Sequence, residues 1–161
     1  MKTLWAPWRM EYIRSKKSSA CIFCLEDKTA NDRENLVLFR SPFSFVMLNR
    51  YPYSNGHLLV APHRHVATLD GLSGEEVLDL FELLKLSSRV LSDAASPQGY
   101  NIGMNLGKAA GAGVEEHIHV HIVPRWNGDT NFMSVVADLR VMPENLTATY
   151  DTLLPGFISG K

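Results

Sequence analysis

This chain has little of several things that would classify a protein quickly. It has two cysteines in 161 residues, too few for a disulfide-stapled scaffold. Its 16 basic and 17 acidic side chains nearly cancel, giving a net charge of -1. No global positive field is therefore available to recruit nucleic acid or a membrane surface, and a phosphorylated ligand would have to be held by local donors. No apolar run approaches the roughly 20 residues of a membrane span. The stretch Met1 to Arg9 lacks the apolar core of a signal peptide, so the expected location is cytoplasmic. Internal repeats and low-complexity linkers are also missing. What remains is an ordinary globular composition, 45% apolar and 20% charged, at a length that supports one domain with a sizeable core.

Residues 1–20, with Trp5, Trp8 and the polar stretch Arg14 to Ser19, read as an irregular arm ahead of a single domain over 21–161. Asn35–Arg40 and Ser44–Leu48 are rich in β-formers and are separated by Ser41-Pro42. After a turn-rich loop, His57–Ala61 reads as a third strand, stopped by Pro62. Ser73-Gly74-Glu75-Glu76 is a capping-box signature. Behind it Val77, Leu80, Phe81, Leu84 and Leu91 recur at helical spacing, predicting one long amphipathic helix over 74–94. Tyr100–Leu106 returns to strand character, Gly107–Gly113 reads as a loop, and Pro143–Leu154 suits a short helix. Runs of strands with one long helix point to an α+β fold with an antiparallel sheet.

The most constraining stretch is His117-Ile118-His119-Val120-His121-Ile122-Val123. On a strand the three imidazoles share one face at roughly 6.5 Å intervals, while Ile118, Val120 and Ile122 bury on the other. Three aligned imidazoles make a poor core wall and a good cradle for a phosphorus centre, an anion or a metal. Neutral imidazole is nucleophilic, so His119 can attack phosphorus and form a phosphoramidate. His121 is placed to donate to phosphate oxygens, and the glycine-rich loop upstream offers backbone N–H groups. The rival reading is a zinc site on the histidine run, with Glu115 or Glu116 as a further ligand. Cys21-Ile22-Phe23-Cys24 taken alone is open among a metal hook, a redox pair and two plain thiols. Lys108 reads as a solvated loop lysine. Trp126 is open among base stacking, a subunit interface and core packing.

His117 to Val123 resembles the signature of the histidine triad (HIT) family, His-φ-His-φ-His-φ-φ with φ apolar. The likeness extends to Phe45–Arg50, Gly56–Pro62 and the long helix, covering roughly 21–135. Asn105-Leu106-Gly107 and Pro124–Phe132 resemble the branch holding the fragile histidine triad protein and the bacterial diadenosine tetraphosphate phosphorylases. The resemblance implies a five-stranded antiparallel sheet with one long and one short C-terminal helix. It implies a homodimer with a continuous ten-stranded sheet, and cleavage of dinucleoside polyphosphates at an α-phosphate. His119 would carry the nucleotidyl group, His121 would contact the scissile phosphate and His117 would orient the site. Asn49 would bind ribose, Asn105 would bind phosphate, and His57 would set a histidine tautomer.

One departure concerns Gly113 and Val114, where many relatives carry Gln or Ser. Either the Gly113 backbone N–H substitutes, or substrate preference differs. In zinc-bearing relatives a C-x-x-C joins a histidine after the Gly-His strand and the first triad histidine. The resemblance thus implies a structural zinc on Cys21, Cys24, His65 and His117. Magnesium would accompany the substrate polyphosphate. The alternatives are a HIT nucleoside phosphoramidate or nucleotide hydrolase, a nucleotide-binding module with little turnover, and a zinc hydrolase built on the triad.

Overall fold

The computed structural model describes residues 21–25, 31–129 and 144–159. The expected arm over 1–20 and the segment Thr130–Phe132 of the phosphorylase-like stretch lie outside them. The described elements are β1 (Val37–Arg40), β2 (Ser44–Leu48), β3 (Leu58–Pro62), α1 (Gly74–Ala95), β4 (Gly99–Gly103), a 3-10 turn (Lys108–Ala110), β5 (Val120–Arg125) and α2 (Leu146–Ser159). The strands form one antiparallel sheet in the order β1-β2-β3-β5-β4. No helix among the described residues is long and apolar enough to cross a membrane.

Alternation along the strands gives the sheet two buried faces. Leu38, Val46, Leu48, Leu58, Val60, Val120 and Ile122 pack under α1 and α2. Val37, Phe45, Met47, Leu59 and Ala61 face the other way and are covered by Phe23. Because Leu59 pairs with His121, the triad belongs to this second face, away from the helices.

The capping box forms: Ser73 accepts from the Glu76 N–H, and the Glu76 carboxylate accepts from the Ser73 N–H. The apolar stripe of α1 is rotated from the sequence expectation. Leu80, Leu83, Leu84, Val90 and Leu91 are buried, but Val77 is 41% exposed and Phe81 59% exposed. The stripe that packs runs through Leu80, Leu83, Leu84, Leu86, Val90 and Leu91, and burying these side chains sets the rotation of the helix. Position 76, and not 77, therefore faces inward, where the Glu76 carboxylate is paired by Arg64 in a bidentate contact at 2.9 and 2.6 Å. α2 runs past the expected end through Pro155 to Ser159. It lies close on α1 at Gly156, where a Cβ would sit 2.8 Å from Val90 Cγ1.

Two strand boundaries differ from expectation. β1 starts at Val37 because Leu36 takes a left-handed φ of 61°. β4 stops at Gly103 instead of Leu106, since its partner strand begins only at Val120, one residue beyond the Gly103–His121 pair. That late start also corrects the triad strand, because His117 and His119 precede the ladder. Continuing the register Val60–Val120 would set Ile118 opposite Pro62, which has no N–H to donate. Ile118 instead donates to the Val66 carbonyl at 2.7 Å.

Candidate active site

The turn before β3 and the extended segment leading into β5 bring four imidazoles together. His57 and His117 are fully buried, His119 is nearly so, and His121 is half-buried. The rings of His119 and His121 are 5.0 Å apart and those of His57 and His121 5.1 Å.

The hydrogen bonds fix where each proton sits. The Tyr53 backbone N–H donates to His57 Nδ1 at 3.0 Å, so that nitrogen carries the lone pair. Asn49 Nδ2 reaches the same nitrogen at 3.3 Å, while Asn49 Oδ1 accepts from the Tyr51 N–H at 2.9 Å. The proton of His57 is therefore on Nε2, which donates to His121 Nδ1 at 2.9 Å. His121 must then carry its own proton on Nε2. That atom is buried with no hydrogen-bond partner among the described residues. An Nε2–H at that position can donate to an acceptor brought into the site.

His119 is fixed in the opposite sense. Its Nδ1 lies 2.9 Å from the His117 carbonyl, which can only accept. Nδ1 therefore holds the proton and Nε2 the free pair, the form a nucleophile needs. Burial lowers the pKa of His119, opposed by that carbonyl bond. Burial, with His119 beside it, pushes His121 down to about 4. Burial, with His121 and His119 nearby, pushes His57 down to about 3. All three rings are neutral near pH 7.

His117 faces away from this pair. Its Nε2 donates to the Pro62 carbonyl at 2.9 Å. Its Nδ1 lone pair is left toward Cys21 Sγ at 3.4 Å and Cys24 Sγ at 3.8 Å. Cys24 Sγ is 3.1 Å from His65 Nδ1, and the four donor atoms lie within 4.8 Å of one another. A tetrahedral ion with bonds of about 2.0–2.3 Å needs donors about 3.4–3.8 Å apart, so the set fits a divalent metal. Burial, followed by the neighbouring Cys21, pushes the Cys24 thiol up, a repulsion that a cation would relieve.

The other sequence-derived candidates are dispersed. Continuing the Gly103–His121 register places Asn105 level with His119, just past the end of β4. Gly113 is exposed, with nothing within 4 Å of where a Cβ would stand. Trp126 follows the far end of β5, and its indole N–H donates to the Ala95 carbonyl at the end of α1. Five residues of extended chain, about 17 Å, separate it from His121, so the structure does not bring it to the triad. Two rings that sequence reasoning passed over do reach the histidines. Tyr53 lies parallel to His121 at 5.8 Å, and Phe23 lies 4.7 Å from His119 and 5.3 Å from His117. The signal for Phe23 was its place between the two cysteines.

The HIT domain family matches residues 30–128. This chain belongs to the HIT domain family. It is 38% identical over 158 residues to a protein of Mycobacterium tuberculosis named AP-4-A phosphorylase, covering 92% of this chain and 80% of that one. It is 35% identical over 117 residues to a Schizosaccharomyces pombe protein named bis(5'-nucleosyl)-tetraphosphatase (asymmetrical), covering 72% and 64%. Among solved structures, a Zn-bound histidine triad family protein from Mycobacterium smegmatis superposes with a TM-score of 0.67 at 26% identity, covering 87% of this chain and 94% of that one. The HIT fold, its five-stranded antiparallel sheet and its flanking helices are those described above.

Proposed function

We propose that this HIT protein is an enzyme that cleaves dinucleoside polyphosphates at an α-phosphate, with His119 as nucleophile and inorganic phosphate as the acceptor. The observation that carries the reading is the pairing of opposite tautomers: a free Nε2 lone pair on His119 beside an unpartnered Nε2–H on His121. In the first step His119 Nε2 bonds to the α-phosphorus as the P–O bond to the departing nucleotide breaks. His121 Nε2–H donates to a phosphate oxygen as charge builds there. In the second step phosphate takes the nucleotidyl group from His119. Phosphate is chosen over water because of the 38% identity to the AP-4-A phosphorylase.

Asn49 and His57 hold the His121 tautomer, and Asn105 and Gly113 offer the phosphates polar groups beyond β4. Ribose binding by Asn49 would use the remaining capacity of its amide. Trp126 would act at a subunit boundary and not at the nucleotide of its own subunit.

Cys21, Cys24, His65 and His117 would hold a zinc ion. The ion would supply a structural tie between the C-x-x-C turn and the triad segment. Magnesium would arrive on the substrate polyphosphate. A cytoplasmic location suits both thiols.

A homodimer is supported by the position of β4, which is an edge strand of the sheet among the described residues. Tyr100 donates to the Ser88 carbonyl of α1, so Ile102, two residues along on the same face, lies level with earlier turns of α1. Ile102 is exposed, as are Val77, Leu78 and Phe81 on those turns, an apolar surface that pairing of two β4 edges would cover.

The test is product analysis with diadenosine tetraphosphate, with and without inorganic phosphate. ADP plus ATP formed only with phosphate is expected. AMP plus ATP without phosphate would replace phosphorolysis by hydrolysis. No cleavage in either case would remove the activity.

A further inference from the structure

The rings at the site follow one another in a row. Phe23 lies 4.7 Å from His119 with planes 30° apart, His119 lies 5.0 Å from His121 with planes 59° apart, and His121 lies 5.8 Å from Tyr53 with planes 13° apart. Tyr53 closes the solvent end and Phe23 the buried end, where it is 2% exposed. Phe23 comes from the turn between the two cysteines, closed by the Cys24 N–H donating to the Cys21 carbonyl at 3.1 Å. Of the two residues inside this turn, Ile22 points to solvent and Phe23 points in.

Among the described residues one hydrogen bond orients His119, from Nδ1 to the His117 carbonyl. The Cβ–Cγ bond and this hydrogen bond together set the direction of the ring but leave it free to rock out of its plane on the side away from the carbonyl. The Phe23 ring, packed 4.7 Å from it at a 30° tilt, limits that rocking.

We propose that Phe23 is a positioning residue for His119, wedged against the imidazole by the C-x-x-C turn so that Nε2 is aimed at the α-phosphorus. The inference rests on His119 being the nucleophile. It assigns the C-x-x-C turn a task separate from metal ligation. Phe23 sits in the same apolar cluster as Phe45, which is equally buried but stacks on His63 and forms no ring pair with a triad histidine among the described residues. Phe45 therefore supplies the matched control.

Phe23→Leu, Phe23→Met and Phe45→Leu should be compared with the wild type for metal content, thermal midpoint, kcat and KM on diadenosine tetraphosphate. Nitrogen-15 NMR of the histidine side chains would read the His119 tautomer. Misaiming a reacting atom by about 1 Å costs up to about 100-fold in rate. The expected result is a kcat lowered about 10- to 100-fold in Phe23→Leu, with KM within about twofold and metal content unchanged. Phe23→Met, close to leucine in volume and likewise without a ring plane, should lower kcat to a similar degree. Phe45→Leu should lower the midpoint and keep kcat.

The proposal is overturned by a Phe23→Leu enzyme with wild-type kcat, or by one in which only KM rises, which would make Phe23 a substrate contact. Loss of the metal in Phe23→Leu would also overturn it. If the wild type cleaves no dinucleoside polyphosphate, the functional reading fails. The NMR then decides this inference alone: His119 should hold one Nδ1–H tautomer in the wild type and exchange between forms in Phe23→Leu.

Discussion

Acid should unfold this protein through its buried histidines, and His57 is where the effect can be isolated. In the unfolded chain an imidazole takes up a proton at about pH 6.5. In the folded protein His57 has no site for a second proton, since Nδ1 already accepts from the Tyr53 N–H and Nε2–H donates to His121. Burial and the neighbouring His121 and His119 accordingly depress its pKa to about 3, and His121 follows at about 4. The unfolded chain therefore binds more protons than the folded one below about pH 6.5, and stability falls with falling pH from there down to the folded pKa values. At pH 5 the proton uptake of one unfolded histidine, with little in the folded state, is worth about 2 kcal/mol. His121, whose ring is only half-buried, adds a smaller amount because solvent screens it, and the His57 share alone is a sizeable part of the roughly 5–15 kcal/mol typical of a domain. The depressed carboxylates Glu76 and Asp151 act in the same direction but only below the usual carboxylate range, so the window from pH 7.5 to 5 reports on histidines. Urea unfolding followed by tryptophan fluorescence should show the loss. In His57→Leu the difference between pH 7.5 and 5 should shrink by about 2 kcal/mol relative to wild type in identical buffers. A wild type equally stable at both pH values, or a His57→Leu slope identical to wild type, would refute the reasoning.

Other outcomes follow from single contacts. His119→Asn should abolish turnover while nucleotide affinity, measured by calorimetry, stays within a few-fold; retained turnover would move the nucleophile elsewhere. Cys24→Ser, which removes one donor of the Cys21, Cys24, His65 and His117 set, should reduce bound metal by elemental analysis and lower the thermal midpoint. Unchanged metal content would show that the set is not the binding site. Gly156→Ala should destabilise by about 1–3 kcal/mol in urea titrations, because its Cβ meets Val90 Cγ1 at 2.8 Å and helix–helix packing must open. A neutral result would mean that Val90 yields without cost.

Periodicity carried the sheet and the long helix well. The spans Ser44–Leu48 and Gly74–Ala95 follow from β-former runs and from a capping box that reads directly off Ser73 and Glu76. The errors have local causes. Val77 and Phe81 looked like core positions because helical spacing gives a stripe but not its rotation, and the leucines at 80, 83, 84, 86 and 91 outweigh them for the buried side. The site was legible where chemistry is concentrated in a short motif, in the triad and in the two cysteines. Asn49 was legible as a residue and not as a geometry, since its contact with His57 depends on how the loop between them folds back. Phe23 carried no visible signal beyond its neighbours. An aromatic residue in a turn is ordinary until the fold shows which ring it faces.

The interrupted ladder between β3 and β5 explains how one proline serves both halves of the site. In an unbroken antiparallel pair, strand carbonyls are occupied by strand N–H groups. Pro62 cannot donate, the ladder ends at Val60–Val120, and the extended segment before β5 leaves strand pairing. Two carbonyls then become available to side chains. Pro62 accepts from His117 Nε2, which turns the Nδ1 of that ring to the cysteines. His117 in turn accepts from His119 Nδ1, which leaves Nε2 of the next ring unprotonated. His117 and His119 thus receive opposite tautomers from two backbone carbonyls, those of Pro62 and His117, with no carboxylate among the described residues bonded to either ring. The strand geometry that first suggested three equivalent histidines holds only at His121. It is the failure of that geometry ahead of Val120 that gives His117 and His119 different chemistry.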